Sequence, residues 1–292
     1  MRTAPRLRTV LHRLGSALAL IGIVFVVHRI GIHADDVDWS RVGGTTLVTI
    51  ALFAAIYGAA NLMLGAAWWH LLAAFGAHVP RRWAQRAYGS SQLAKYVPGN
   101  VFHLASRQML GMAAGIGTWP LVRSISWEMG LLCVAGATIG LLALPMQFAG
   151  LAPALVGVAF FSVVVLVVVA LRFTVGLHAA LAFAWQLGFL AIMGALAAAL
   201  TSVLAPGLWL EVPAVDLASA YVGAWLIGMI TPGAPAGMGV RELTFLALVH
   251  SQADRPGLLL VLVVMRLITV GGDLAFYLGS TWSTHLEKND AA

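Results

Sequence analysis

The stretch Phe148–Leu171 reads FAGLAPALVGVAFFSVVVLVVVAL, 24 residues without a charge. A hydrocarbon core needs about 20 apolar residues per helix, so this stretch is long enough to cross one. No water at that depth satisfies a backbone N–H or C=O, so the crossing form is a helix. Gly176–Leu210 is of the same kind, with His178 its one titratable side chain. Over all 292 residues, 61% are hydrophobic and 10% charged, where a soluble domain carries about 25% charge. The chain reads as an all-α polytopic integral membrane helical bundle, a single transmembrane domain over 1–292. It has a short basic tail at 1–13 and a short tail at 281–292.

Working outward, full spans are expected at about 14–30, 45–76, 124–146, 150–171, 178–204 and 257–280. The first follows an n-region-like start rich in arginine. It lacks a small-x-small cleavage site before the acidic loop, so it is read as a retained span. This threading puts Arg2, Arg6, Arg8, Arg13, Arg81, Arg82, Arg86, Arg123, Arg172 and Lys288 on one side. Arg29, Arg41 and Arg255 fall on the other. The basic bias marks the first side as cytoplasmic, with both termini there.

Two segments break the pattern. One runs Ser91-Gln-Leu-Ala-Lys95-Tyr-Val-Pro98-Gly99-Asn100-Val-Phe-His103-Leu-Ala-Ser-Arg107. The other runs Ile230-Thr-Pro232-Gly233-Ala-Pro235-Ala-Gly237-Met-Gly239-Val-Arg241-Glu242. In each, an arginine follows the Pro-Gly pair at the same offset. The broken elements cover about 88–116 and 217–250. Either each is re-entrant, entering and leaving by one face, or each is a pair of true spans, giving about eight in all. In the re-entrant reading they enter from opposite faces. That is the mark of an inverted repeat with a site between its halves.

Seven charges remain at membrane depth: Lys95, Arg107, Glu128, Arg241, Glu242, Arg266 and Asp273. Each is costly alone, so most should pair or face a wet cavity. Arg266 and Asp273 lie seven apart on one face of the last span and form a candidate structural pair. Arg241 and Glu242 are adjacent and diverge by about 100° on a helix, so at least one should reach another element. A helix restarting at Asn100, a good N-cap, aims backbone N–H groups at the break, which suits an anion. Two readings stand. Lys95, Arg107, Arg241 and the backbone near Gly99 hold a phosphate-bearing headgroup, with Tyr96, Pro98, Asn100, His103, Pro232 and Gly233 around it and Glu128, Glu242 and Asp273 as counter-charges. Otherwise the cations pair internally with Glu128 and Glu242. Glu128 is either a proton carrier or such a partner, and His103 either a ligand or a hydrogen-bonding side chain.

Other chemistries find little support. No basic stripe interleaved with aromatics is present, so nucleic acid is not an expected partner. Gly237-Met-Gly239 follows no strand, and neither lysine sits in a Walker context, so no nucleotide cofactor is expected. No zinc-ligand spacing occurs, and no cofactor or metal is expected. Asp36-Val-Asp38 resembles the metal-binding acidic pair of some glycosyltransferases, though an acidic outer loop explains it equally. Cys133 reads as a small core residue. Trp68, Trp69, Trp83, Trp119, Trp209 and Trp282 fall near span ends and read as an interfacial belt.

Lys95-Tyr-Val-Pro-Gly-Asn-Val-Phe-His with Arg107 resembles the signature of the lysylphosphatidylglycerol synthase transmembrane-region family, also called the flippase-like domain family. The later Pro-Gly…Gly-Val-Arg241-Glu242 and Arg266…Gly-Gly-Asp273 resemble its second motif and last span. The resemblance covers roughly 10–282. It implies handling of a membrane lipid with a large polar head in the bacterial inner membrane, beside envelope-synthesis enzymes. The soluble aminoacyltransferase domain of bifunctional members has no counterpart, so the expectation is translocation rather than synthesis. The alternatives are a transferase using a lipid-linked sugar and a non-transporting accessory subunit.

Overall fold

The computed structural model describes residues 41–96, 102–148, 150–231, 237, 239–249 and 255–289, with side chains at all but 255, 256 and 282–289. Among these, every regular element is helical. Of five long helices, four come before residue 205: α1 (Gly44–Ala74), α4 (Thr118–Gly140), α5 (Pro153–Thr174) and α6 (Leu177–Leu204). Between α1 and α4 lie α2 (Arg81–Gln92), a 3₁₀ turn over Leu93–Tyr96, and α3 (Phe102–Ala113). After α6 come a short helix Pro206–Glu211, then α7 (Ala214–Ile230), α8 (Val240–Leu248) and α9 (Arg255–Asn289). The chain is therefore an all-α membrane bundle. Five stretches are long and apolar enough to cross: 44–74, 118–147, 153–174, 177–204 and 257–281.

These five match the later five expected spans. The expected first span, the basic tail, Asp36 and Asp38 lie outside the described residues, as do Pro98, Gly99, Asn100, Pro232 and Gly233. α1 is about 46 Å long at 1.5 Å per residue, beyond the core's about 30 Å. By the same rise α2 and α3 reach only about 18 Å each, α7 about 26 Å and α8 about 14 Å. Each described arm of the broken elements is thus shorter than that core thickness. Two boundaries differ from expectation. α4 begins at Thr118, taking Arg123 into the helix, where its guanidinium lies 4.8 Å from the Trp119 ring. Arg81, Arg82 and Arg86 start α2 rather than a loop, Pro80 standing just before it with φ −58°.

α1 is the spine. It packs along α6 and α9, and α2 lies across α1 and α9. α7 packs on α6, α4 and α8. The α1–α9 crossing depends on small residues. A Cβ added at Gly272 would stand 2.7 Å from the Ala54 carbonyl oxygen, and one at Gly58 would stand 2.9 Å from that of Gly272. Dispersion and close backbone approach hold helices together in lipid, where no hydrophobic gain is available between them. This approach brings Asn61 of α1 against Asp273 of α9. α5 is peripheral: only Val156 and Leu171, near its two ends, are buried. Between them an apolar cavity of about 470 Å³ separates α5 from α6 and α7.

Candidate functional site

A cavity of about 380 Å³ opens among α1, α2, α3, α4, α7, α8 and α9. The first broken element gives its wall Tyr88, Gln92, Lys95, Tyr96, His103 and Arg107, and the second gives Trp225, Thr231 and Arg241. Glu128 of α4 and Arg266 of α9 complete the charged lining. The two broken elements therefore face one space. Among the described residues its wall carries four basic side chains and one carboxylate.

The other carboxylates stand behind their cations. Asp273 is fully buried and accepts from four donors. Lys95 Nζ lies 2.7 Å from its Oδ2, to which Tyr96 Oη also donates. Asn61 Nδ2 at 3.2 Å and Gln92 Nε2 at 3.1 Å serve Oδ1. Gln92 Nε2 also donates to Asn61 Oδ1 at 3.0 Å, so α1, α2, the 3₁₀ turn and α9 meet in one network.

Arg107 is equally buried. Its Nη1 donates to both oxygens of Glu128, at 2.9 and 2.8 Å. Tyr88 Oη adds a 2.9 Å bond to the same carboxylate. The guanidinium also lies 4.3 Å from the Tyr88 ring and 5.4 Å from the Trp68 ring, a favourable stack for a desolvated cation. Arg107 Nε and His103 Nδ1 are buried without a hydrogen-bond partner among the described residues. Both side chains line the cavity, one turn apart on α3.

The third pair joins α8 to α9. Arg266 Nε donates to Glu242 Oε1 at 2.8 Å. Glu242 Oε2 accepts the Gly239 backbone N–H at 2.7 Å and so caps α8. Gly239 adopts φ +82°, which glycine takes without strain. Glu242 is thus the member of the Arg241–Glu242 pair that reaches across, while Arg241 is buried in the cavity wall.

Several expectations change. Arg266 and Asp273 share a helix face but each finds a partner elsewhere, because the crossing helices bring nearer groups. Of the expected counter-charges it is Asp273 that Lys95 pairs with, not Glu128 or Glu242. Trp68 is not in an interfacial belt: it is fully buried, donating from Nε1 to Ser124 Oγ at 3.2 Å beneath Arg107. Trp119 remains exposed at a helix start, and Cys133 is half-buried. Asn61, Tyr88 and Gln92 were not singled out from sequence. Asn61 inside a 31-residue apolar helix was the available signal.

Outside the cavity, His70 Nδ1 and His178 Nδ1 stand 2.9 Å apart at the ends of α1 and α6. Among the described residues no group of three or more His, Cys, Asp or Glu side chains could hold a metal ion. Comparison with protein-family models, curated proteins and solved structures gave no match.

Proposed function

We propose that this chain moves a lipid with a phosphate-bearing headgroup across the bacterial inner membrane, holding that headgroup in the cavity between the broken elements. The observation that carries this is the orientation of charge. Among the described residues Lys95, Arg107, Arg241 and Arg266 line the space, whereas Asp273 and Glu242 lie outside its lining and Glu128 is the one carboxylate in the wall. Four cations against three carboxylates leave a net positive site at a depth where an isolated charge is costly. An anion entering the space relieves that imbalance. The bare Arg107 Nε and His103 Nδ1 offer it directed contacts, and arginine suits phosphate oxygens in particular. The resemblance of the Lys95–Arg107 segment to lipid-handling proteins points the same way. The basic bias of the loops favours both termini on the cytoplasmic side.

The test is a reconstituted assay. The full chain goes into phosphatidylcholine liposomes carrying a trace of tail-labelled fluorescent phosphatidylglycerol, and transfer between leaflets is followed by chemical quenching. Wild type accelerates transfer over empty liposomes, and Arg107→Lys, which keeps the charge but loses the fork, slows it at equal incorporation. Equal rates in wild type and empty liposomes, for this lipid and for a polyprenyl phosphate, would sink the proposal.

A further inference from the structure

The three ion pairs are not equivalent, and the difference points to the moving part of the site. We propose that Lys95 is its exchangeable cation. It leaves Asp273 for an oxygen of the headgroup phosphate and returns when the lipid departs, while Arg107 stays on Glu128. This rests on the lipid-handling reading above and specifies how that site works.

The argument starts from what each carboxylate keeps when its cation leaves. Without Lys95, Asp273 still accepts from Tyr96, Asn61 and Gln92. Donors of that number satisfy the oxygens of a buried carboxylate. Without Arg107, Glu128 would keep only the Tyr88 hydroxyl among the side-chain bonds described, an almost bare buried charge. Glu128 is thus a fixed seat, and Asp273 tolerates a vacancy.

The cations differ in the same sense. Arg107 is 1% exposed, held by two bonds and stacked on two rings. Lys95 is 21% exposed, the most accessible cation of the three pairs. Its ammonium is a compact charge on a flexible four-carbon stem, able to swing between two acceptors. It sits on the 3₁₀ turn that ends the first arm of the broken element, in the cavity wall, with Asp273 behind it. One acceptor is therefore a buried carboxylate and the other is whatever anion occupies the cavity. Asp273 acts as a placeholder for the phosphate: it holds Lys95 in position between lipids, and it competes with the lipid.

Competition gives opposite signs to affinity and turnover. In Asp273→Asn the placeholder loses its charge. Binding of an anionic lipid then tightens about tenfold, a usual size for coupling between linked groups. Release slows, so transfer per molecule falls even as half-saturation improves. A purely structural role for Asp273 would weaken both.

The test uses the full chain in detergent, titrated calorimetrically with water-soluble dihexanoyl-phosphatidylglycerol and, as neutral control, dihexanoyl-phosphatidylcholine. Asp273→Asn should bind the anionic lipid more tightly than wild type and the control lipid unchanged. Lys95→Gln should bind it more weakly, and adding Asp273→Asn to Lys95→Gln should bring no tightening. Weaker or equal binding by a folded Asp273→Asn, or tightening that persists without Lys95, overturns the exchange. A second measurement needs no charge-altering variant. The chain has only two lysines, Lys95 and Lys288, so ¹³C-methylated protein gives two assignable lysine signals. The Lys95 signal should shift on adding phosphatidylglycerol but not phosphatidylcholine, with Lys288 as reference. A static Lys95 signal at saturating lipid overturns the exchange, whereas failure of wild type to bind either lipid overturns the proposed function itself.

Discussion

At the residue scale, the buried pair Arg107–Glu128 separates stability from function. Removing one partner of such a pair strands the other charge, at a cost of about 3–5 kcal/mol. Glu128→Gln should therefore lower the melting temperature of the purified protein sharply. Replacing both, as Arg107→Met with Glu128→Leu, should restore much of the stability without restoring lipid transfer. Recovery of both together would show that the pair serves the fold alone. Gly239→Ala should cost about 1 kcal/mol, because φ +82° is strained for any side chain. Its melting transition should drop while Arg266 still holds Glu242. The charged members of the site were legible in the sequence because a charge inside an apolar run needs a reason. Their partners were not. Asn61, Tyr88 and Gln92 are neutral, and a neutral polar side chain in a helix is commonly satisfied by its own backbone. Trp68 was misread because an indole near a span end looks the same whether it meets headgroups or a guanidinium.

At the element scale, the crossing of α1 and α9 holds the Asp273 network in register. Gly272→Val would drive a side chain against the Ala54 carbonyl and the Gly58 nitrogen, 2.7 and 2.8 Å from its Cβ. Overpacking of this kind costs about 1–3 kcal/mol, and here it would also part Asn61 from Asp273. The expected result is lower thermal stability together with loss of anionic-lipid binding. Gly279→Val on the same helix, where an added Cβ meets nothing within 4 Å, should leave both close to wild type. Equal effects of the two changes would contradict the crossing as the cause. Element positions were largely legible, since hydropathy and Pro-Gly pairs mark where helices run and stop. Partner choice was not. A spacing of seven puts Arg266 and Asp273 on one face of α9, but α8 and the 3₁₀ turn decide which cation meets which carboxylate.

At the scale of the whole molecule, the two broken elements should be approached from opposite sides. In a Cys133→Ser background, a cysteine at exposed Ala114, after α3, should react with an impermeant thiol reagent from the cytoplasmic face. One at exposed Ala214, at the start of α7, should react from the opposite face. Labelling of both from one face would discard the threading. The bundle as such was readable from composition, because long uncharged runs leave the chain no other way to satisfy its backbone in lipid. α5 shows what that same solvent leaves unspecified. Val156 and Leu171 are buried and Phe160, Val164, Val167 and Val168 pack half-buried on the core, but its outer face meets a fluid that does not distinguish valine from leucine or phenylalanine. Its sequence is therefore free to drift among apolar residues, constrained in oiliness and length but hardly in order. Kinship with other proteins would fade first in that helix and persist longest around Gly58, Arg107, Glu128 and Asp273.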